Sequence, residues 1–409
     1  MTQAFHFDPF DPKFFEDPYT HYEIMRREHP VYKCEVANHR VWPHYWIISR
    51  GADVKEALAD WQTFSSARGT LIDTDISLIP LNMFNMDPPR HDELRGILAR
   101  VLTAKKIANL EPAVRKHTQQ LVDKFKQRGK ADAVTEFAHL IPTYTMCELL
   151  GLPAEDQQKF LQWNLDTLAG ADFTSDSALK AYGEMGAYWK DLVTERRKHQ
   201  TKDLISQILY AQVKGEDLSD EEIIGFVSLL HDASLNTTMN MLSNSIIALA
   251  RHPEQHQKLI DKPDLWPNAV EELLRYISPV QGLARCTTRD VSLSGITIPE
   301  GDQVLLLYGS ANHDENDFIN PEALDFERVV KSHRAFGHGI HHCLGQAVAK
   351  LETRVALQVL VETLGQWDID ESSIARNQLV PTRGVSHVQI RFKPTVKLSE
   401  SMSDMSKGL

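Results

Sequence analysis

The chain has 409 residues, 42% of them hydrophobic, with 56 acidic against 44 basic side chains and a formal net charge of −12. That balance excludes a nucleic-acid partner, which needs a basic face to neutralise phosphates, while the hydrophobic content is enough for a large core. No apolar run reaches the roughly 20 residues that cross a bilayer, so no membrane span is expected.

Residues 1–14, rich in Pro, Phe and Asp, read as an arm over the surface, and they lack the basic and apolar segments of a secretory signal. Residues 19–27 read as a short helix and 41–48 as part of a strand pair, which Pro43 places at an edge. Helical patterns then dominate, over 104–127, 133–150, 154–168, 177–199, 204–213 and 220–250. The last has the clearest start, because Ser219 and Glu222 form a capping box. It is apolar at both ends and polar in the middle, through His231, Asp232, Ser234, Asn236, Thr237 and Thr238. Burying such a centre is costly unless it meets partners, water or a ligand, so this helix is expected to be central and to face one of them. Strand patterns return at 286–298, 303–308 and 384–392, and residues 399–409 have too little to bury to be ordered. Cys34, Cys147, Cys286 and Cys343 show no pairing spacing, which fits a reducing cytoplasm. Without repeats or linkers, residues 1–409 read as one domain.

The most informative stretch is Phe336-Gly-His-Gly-Ile-His-His-Cys-Leu-Gly345, followed by a helical pattern over 346–364. A cysteine entered through glycines and leading into a helix suits a thiolate ligand to haem iron. Unpaired amides and the positive end of the helix dipole are expected to lower its pKa. Gly337 and Gly339 would let the backbone turn and approach a flat macrocycle. Gly345 would let the next helix pass beneath the ring, and His341 could reach a propionate. Two other readings exist. An isolated Cys is often a small buried hydrophobe. Zinc would use His338, His341, His342 and Cys343, but ligands so close in sequence do not readily surround one tetrahedral ion.

The run resembles the haem-binding signature of the cytochrome P-450 family, Phe-Gly-x-Gly-x-His-x-Cys-x-Gly, with every fixed position filled. The resemblance spans about residues 15–394 and implies a mainly α fold with small β sheets, the family's triangular prism. It implies haem b, with Cys343 as the thiolate ligand and Phe336, Gly337 and Gly345 against the cofactor. His91 and Arg95, within Met86-Asp-Pro-Pro-Arg-His-Asp-Glu-Leu-Arg95, match propionate ligands, as do Arg285 and His341. Glu272 and Arg275 in Glu-Leu-Leu-Arg, with Arg328, match a structural network.

The central helix departs from the family pattern Ala-Gly-x-(Asp/Glu)-Thr-Thr, reading Ala233-Ser-Leu-Asn-Thr-Thr238. Thr237 matches the catalytic threonine, Ser234 replaces the glycine and Asn236 replaces the acid. An amide orients water but does not shuttle protons as a carboxylate does, so Asp232 or a water chain is expected to substitute. By analogy the pocket is Leu71, Ile79, Phe84, Leu168, Leu230, Ala233, Thr237, Val280, Leu283 and Val385. That set suits a small hydrophobic or aromatic substrate, hydroxylated or O-dealkylated with one atom of O2. Electrons are expected from a ferredoxin-type donor and its NAD(P)H-dependent reductase, because no four-Cys cluster motif is present and the segment after Cys343 is short. Arg100, Lys105, Lys106 and Arg334 are the expected docking patch. The alternatives are a haem-thiolate reductase or peroxygenase that does without the acid–threonine relay, and a non-enzymatic haem sensor.

Overall fold

A computed structural model describes residues 5–11, 14, 16–36, 41–78, 82–168, 175–201, 203–377, 380 and 382–395. The tail expected to be disordered, 399–409, lies outside them, as does Ile79. Among the described residues the helices are α1 (Pro18–Glu28), α2 (Gly51–Ala59), α3 (Arg90–Val101), α4 (Ala104–Ala108), α5 (Glu111–Phe125), α6 (Leu140–Leu150) and α7 (Gln157–Leu168). They continue with α8 (Asp176–Lys198), α9 (Leu204–Leu209), α10 (Asp220–Arg251), α11 (Pro253–Asp261), α12 (Trp266–Ile277), α13 (Tyr308–Ala311) and α14 (Gln346–Leu364). The β portion is small, as expected.

Its main sheet has β1 (Val31–Glu35), β2 (His44–Ile48), β3 (Phe64–Ser65), β7 (Gly282–Thr287) and β10 (Gln303–Leu307), in the order β1-β2-β10-β7-β3. β10 runs parallel to β2, with Val304 opposite Trp46, and antiparallel to β7, with Val304 opposite Arg285. β4 (Lys130–Asp132), β11 (Trp367–Ile369) and β14 (Gln389–Phe392) form a second sheet in the order β11-β14-β4. Two-stranded pairs are β5 (Gln212–Val213) with β6 (Glu216–Asp217), β8 (Val291–Leu293) with β9 (Ile296–Ile298), and β12 (Ala375–Arg376) with β13 (Val385–His387).

The long helix α10 starts where the capping box places it. Ser219 Oγ accepts from the Glu222 amide at 3.2 Å, and the Glu222 carboxylate accepts from the Ser219 amide at 3.1 Å. It packs against α6, α8 and α14. Its C-terminal half, through Leu242, Ile246 and Leu249, joins a core with Phe125 of α5, Leu273 of α12 and Val355 and Leu360 of α14. Its N-terminal half, through Ile223, Phe226 and Leu235, joins a second core with Leu98, Phe160, Trp189 and Ile205. Phe160 and the fully buried Trp189 stack at 5.4 Å, and truncating either would cost about 3–5 kcal/mol. The polar centre of α10 therefore lies between two packed halves.

The sequence pattern misplaces several boundaries. The single helix expected over 104–127 divides at Asn109–Leu110, where Pro112 enters at the start of α5 and cannot continue an earlier helix. The stretch expected as one helix from 133 begins with a π-helical turn at Val134–Ala138 before α6. The strand expected over 286–298 folds into the β8–β9 hairpin, because Ser294 and Gly295 both adopt positive φ, 50° and 79°.

Candidate active site

The cysteine run forms a closed loop. The Gly337 amide donates to Arg334 O at 2.8 Å and the Cys343 amide to Phe336 O at 2.9 Å. Gly337 and Gly339 both have φ near +70°, so the turning role expected of them holds. Gly339 is also packed closely against protein: a Cβ there would stand 2.3 Å from Leu58 O at the end of α2. Past the loop, Gly345 caps α14, and a Cβ there would stand 3.9 Å from Cys343 Sγ. The amides of Gly345 and Gln346 point at Cys343 Sγ. Burial nevertheless raises the thiol pKa above its ordinary value, outweighing the pull of the Gly345 amide, Arg95 and the Gln346 amide. The helix terminus alone thus does not lower it as expected; a coordinated cation would supply the missing charge.

A scaffold behind the loop fixes its position. Glu272 and Arg275, both fully buried on α12, meet in a bidentate pair at 2.8 Å for each contact. Arg328 Nε joins Glu272 at 3.0 Å. The guanidinium of Arg275 also donates to the carbonyls of Asn312, Pro321 and Ala323, at 3.0, 2.8 and 3.1 Å. Asn312 carries this order onward: its Nδ2 donates to Ser278 Oγ at 2.8 Å and its Oδ1 accepts from the Arg334 amide. The three residues expected as a network are thus brought together on the loop's flank.

Cys343 opens on a cavity of about 390 Å³, within the range of small-molecule sites. His91, Arg95, Arg285, His341, Phe336, Gly337 and Gly345 all line it. The His91 and His341 rings lie 4.3 Å apart. Arg95 Nη2 donates to His342 O and Arg285 Nη1 to Ala284 O, both at 2.6 Å. Among the described residues neither arginine has an ion-pair partner, and His341 Nε2 is buried without a hydrogen bond. Burial, then Arg285, His91 and Arg95, depress the His341 pKa to about 3. His91 Nδ1 meets the Asp92 carboxylate at 2.8 Å, but two guanidiniums without an ion pair and a buried imidazole without a partner fit a group that brings carboxylates to the cavity. The two haem propionates meet that description.

Across the cavity stands the polar centre of α10. Asp232, Ala233, Ser234, Asn236, Thr237 and Thr238 all line it. Thr237 Oγ1 donates to Ala233 O at 2.6 Å and Ser234 Oγ to His231 O at 3.3 Å, so both hydroxyls have partners within the helix. Asp232 Oδ1 meets His231 Nδ1 at 2.9 Å. Asn236 Oδ1 accepts from Asn240 Nδ2 at 2.9 Å.

Of the expected pocket residues, Leu71, Phe84, Leu230, Ala233, Val280 and Leu283 line the cavity. Val385 does not: it is fully buried in the core that α10 and α14 share, on β13 opposite Arg376 of β12. Ile79 and the side chain of Leu168 lie outside the described residues. Arg334, expected on a docking patch, is only 9% exposed, because its loop is drawn inward by Asn312. Sequence reasoning missed Leu98, Met146, Tyr182 and Glu352 on the cavity wall. Glu352, on α14, is buried, and its pKa rises to about 7 because burial outweighs its hydrogen bonds from Thr145 and Thr238. No local motif signals it.

Residues 158–374 match the sequence profile of a family described as Cytochrome P450. Cytochrome P450 130 of Mycobacterium tuberculosis is 38% identical over 369 residues, covering 88% of this chain and 91% of that protein. The Vitamin D(3) 25-hydroxylase of Pseudonocardia autotrophica is 35% identical over 397 residues, 95% of this chain and 96% of that one. Among solved structures, cytochrome P450 CYP109Q5 from Chondromyces apiculatus matches with a TM-score of 0.86 at 32% identity, over 95% of this chain and 99% of its own. The family's cofactor is haem b on a cysteine thiolate, and Cys343 is the cysteine that opens on the cavity here. The chain belongs to the cytochrome P450 family, and it is a haem-thiolate monooxygenase.

Proposed function

We propose that the protein inserts one oxygen atom from O2 into a small hydrophobic or aromatic substrate, by hydroxylation or O-dealkylation. The observation that carries this reading is the cavity itself, with Cys343 on one wall, α10 on another and mostly aliphatic side chains between them. Haem bound there supplies the activation of O2. Cys343 would hold the iron, with the Gly345 and Gln346 amides tempering the charge on its sulfur. His91, Arg95, Arg285 and His341 would bind the propionates. Leu71, Phe84, Leu230, Ala233, Val280 and Leu283 would hold the substrate and exclude bulk water. Thr237 and Asn236 would orient water near the reacting carbon, and Asp232 would exchange its proton.

Electrons would come from a ferredoxin-type protein and its NAD(P)H-dependent reductase. Arg100 and Lys105 are exposed and form the candidate contact, while Lys106 is already engaged by Gln207. Reversing the charge of Arg100 and Lys105 should slow reduction and flatten its salt dependence. The four unpaired cysteines support a reducing compartment, and no helix of the described residues is long and apolar enough to cross a membrane. The test of the whole reading is a substrate screen on haem-loaded protein, read by the ferric low-to-high-spin shift, with product analysis after reconstitution with ferredoxin and reductase. Product formed with one O2-derived oxygen supports it. A ferrous–CO spectrum of histidine-ligated haem would refute Cys343, and turnover with peroxide alone would favour a peroxygenase.

A further inference from the structure

Asp232, Asn236, Asn240 and Asn244 recur every fourth residue along α10, so they form one slowly turning row on that helix. Three of them are amides in an otherwise apolar interior, exposed by only 6%, 0% and 9% for Asn236, Asn240 and Asn244. Burying an amide is unfavourable by about 1–3 kcal/mol unless its bonds are replaced. Here they are replaced in sequence. Asn240 Nδ2 donates to Asn236 Oδ1 at 2.9 Å, and Asn244 Nδ2 donates to Asn240 O at 2.8 Å and to Arg383 O at 3.1 Å. With its oxygen taken, Asn236 keeps its amide N–H groups for the cavity it lines.

Bonds are missing around Asn240, one turn beyond Asn236. Asn240 Oδ1, Asn377 Nδ2, Arg383 Nε and Arg376 Nη1 are all buried without a partner among the described residues. They lie in one place. A Cβ on Gly384 would stand 1.8 Å from Asn240 Oδ1, and the Asn377 amide donates to Gly384 O at 3.1 Å. Arg383 and Arg376 flank this contact in sequence, and each reaches Glu16: Arg383 Nη2 donates to Glu16 O at 3.0 Å and Arg376 Nε to the Glu16 carboxylate at 3.2 Å. Glu16 is 73% exposed, so the cluster abuts the surface. One acceptor among three donors suits water, which accepts and donates and fills buried sites with about three bonds each.

We propose that this row and the cluster around Asn240 are a water-filled passage carrying protons from the surface at Glu16 to the cavity beside Asn236, with Asn240 as its positioning residue. The inference rests on the monooxygenase reading, since that reaction consumes protons. It also gives a route that the amide at position 236 cannot supply alone. Each transfer moves a proton from one water to the next along fixed amide dipoles, one entering at the surface for one released at the cavity, with no electron moved.

The test uses haem-loaded protein and the near-isosteric Asn240→Leu, with Asn377→Leu as a second variant outside α10 should the first not fold. A high-resolution crystal structure should show ordered water bonded to Asn240 Oδ1 and Arg383 Nε, lost in the variant. The solvent isotope effect on turnover should rise, and product per NAD(P)H consumed should fall about tenfold. The ferrous–CO spectrum and the substrate-induced spin shift should stay unchanged. A dry cluster in the wild-type structure overturns the proposal, and so does an unchanged isotope effect and coupling in both variants. Absence of any turnover in the wild type would instead count against the monooxygenase reading, leaving the crystallographic result to stand on its own.

Discussion

Replacing Glu352 by Gln removes the one carboxyl that the cavity wall buries among apolar groups and threonine hydroxyls, while keeping its shape. Glu352 has its pKa raised from an ordinary 4.5 to about 7, because burial outweighs the hydrogen bonds from Thr145 and Thr238. A folded-state pKa above the unfolded one means that the native state holds a proton which the unfolded chain has released. Stability from this site is therefore fully present below pH 4.5 and is lost as pH rises through about 7. At 1.36 kcal/mol per pH unit, the total is about 3 kcal/mol. Glu352→Gln should match the wild type at pH 4.5 and exceed it by up to about 3 kcal/mol above pH 7. Urea unfolding of the haem-loaded proteins at both pH values, followed by Trp fluorescence and the haem band, measures the difference. Infrared difference spectra at pH 6 should show a protonated carboxyl stretch in the wild type that is missing in the variant. Parallel stability curves at the two pH values, or an ionised Glu352 at pH 6, would refute the reasoning.

Glu272→Ala strands the buried Arg275 guanidinium and should cost about 3–5 kcal/mol, seen as a lowered unfolding midpoint and poor haem retention on gel filtration. Gly339→Ala forces a side chain into positive φ and against Leu58 O, and should destabilise by about 1–3 kcal/mol in thermal unfolding, whereas Gly365→Ala, with open space around it, should cost less. Asp232→Asn keeps the cavity's shape but removes its one carboxylate beside Asn236. Product per NAD(P)H should fall by about tenfold, and unchanged coupling would remove Asp232 from proton exchange.

What was legible in the sequence was mostly local. The capping box at Ser219 needs only residues three apart, and both of its hydrogen bonds form. The loop from Phe336 to Gly345 carries its own turn chemistry, so its glycines and the following helix could be read in order. His91, Arg95 and Arg285 were named as propionate ligands only through resemblance, because they come from α3 and β7, far in sequence from the cysteine loop. Three further features depend on partners elsewhere in the chain. Gly339 is required by Leu58, Val385 is buried in the core that α10 and α14 share, and Arg334 is drawn inward by Asn312. Glu352 needs the packing of α14 on α6 and α10 before its burial has any meaning. The spacing of Asp232, Asn236, Asn240 and Asn244 was readable, but its significance needed the partnerless Asn240 Oδ1 and three further partnerless atoms that the chain past residue 375 brings beside it.

The parallel pairing of β2 with β10 has a consequence for synthesis. β2 ends at Ile48, and its neighbour begins at Gln303, roughly 250 residues later. At ribosomal rates of about 5–20 residues per second, this strand waits on the order of 10–50 s for its partner. During that time its run of His-Tyr-Trp-Ile-Ile has only β1 to pair with, and its other edge stays open. Nascent chains of this protein should therefore be most prone to aggregate in the middle of translation. Slower growth at low temperature or extra chaperone should raise the soluble yield more than added haem does.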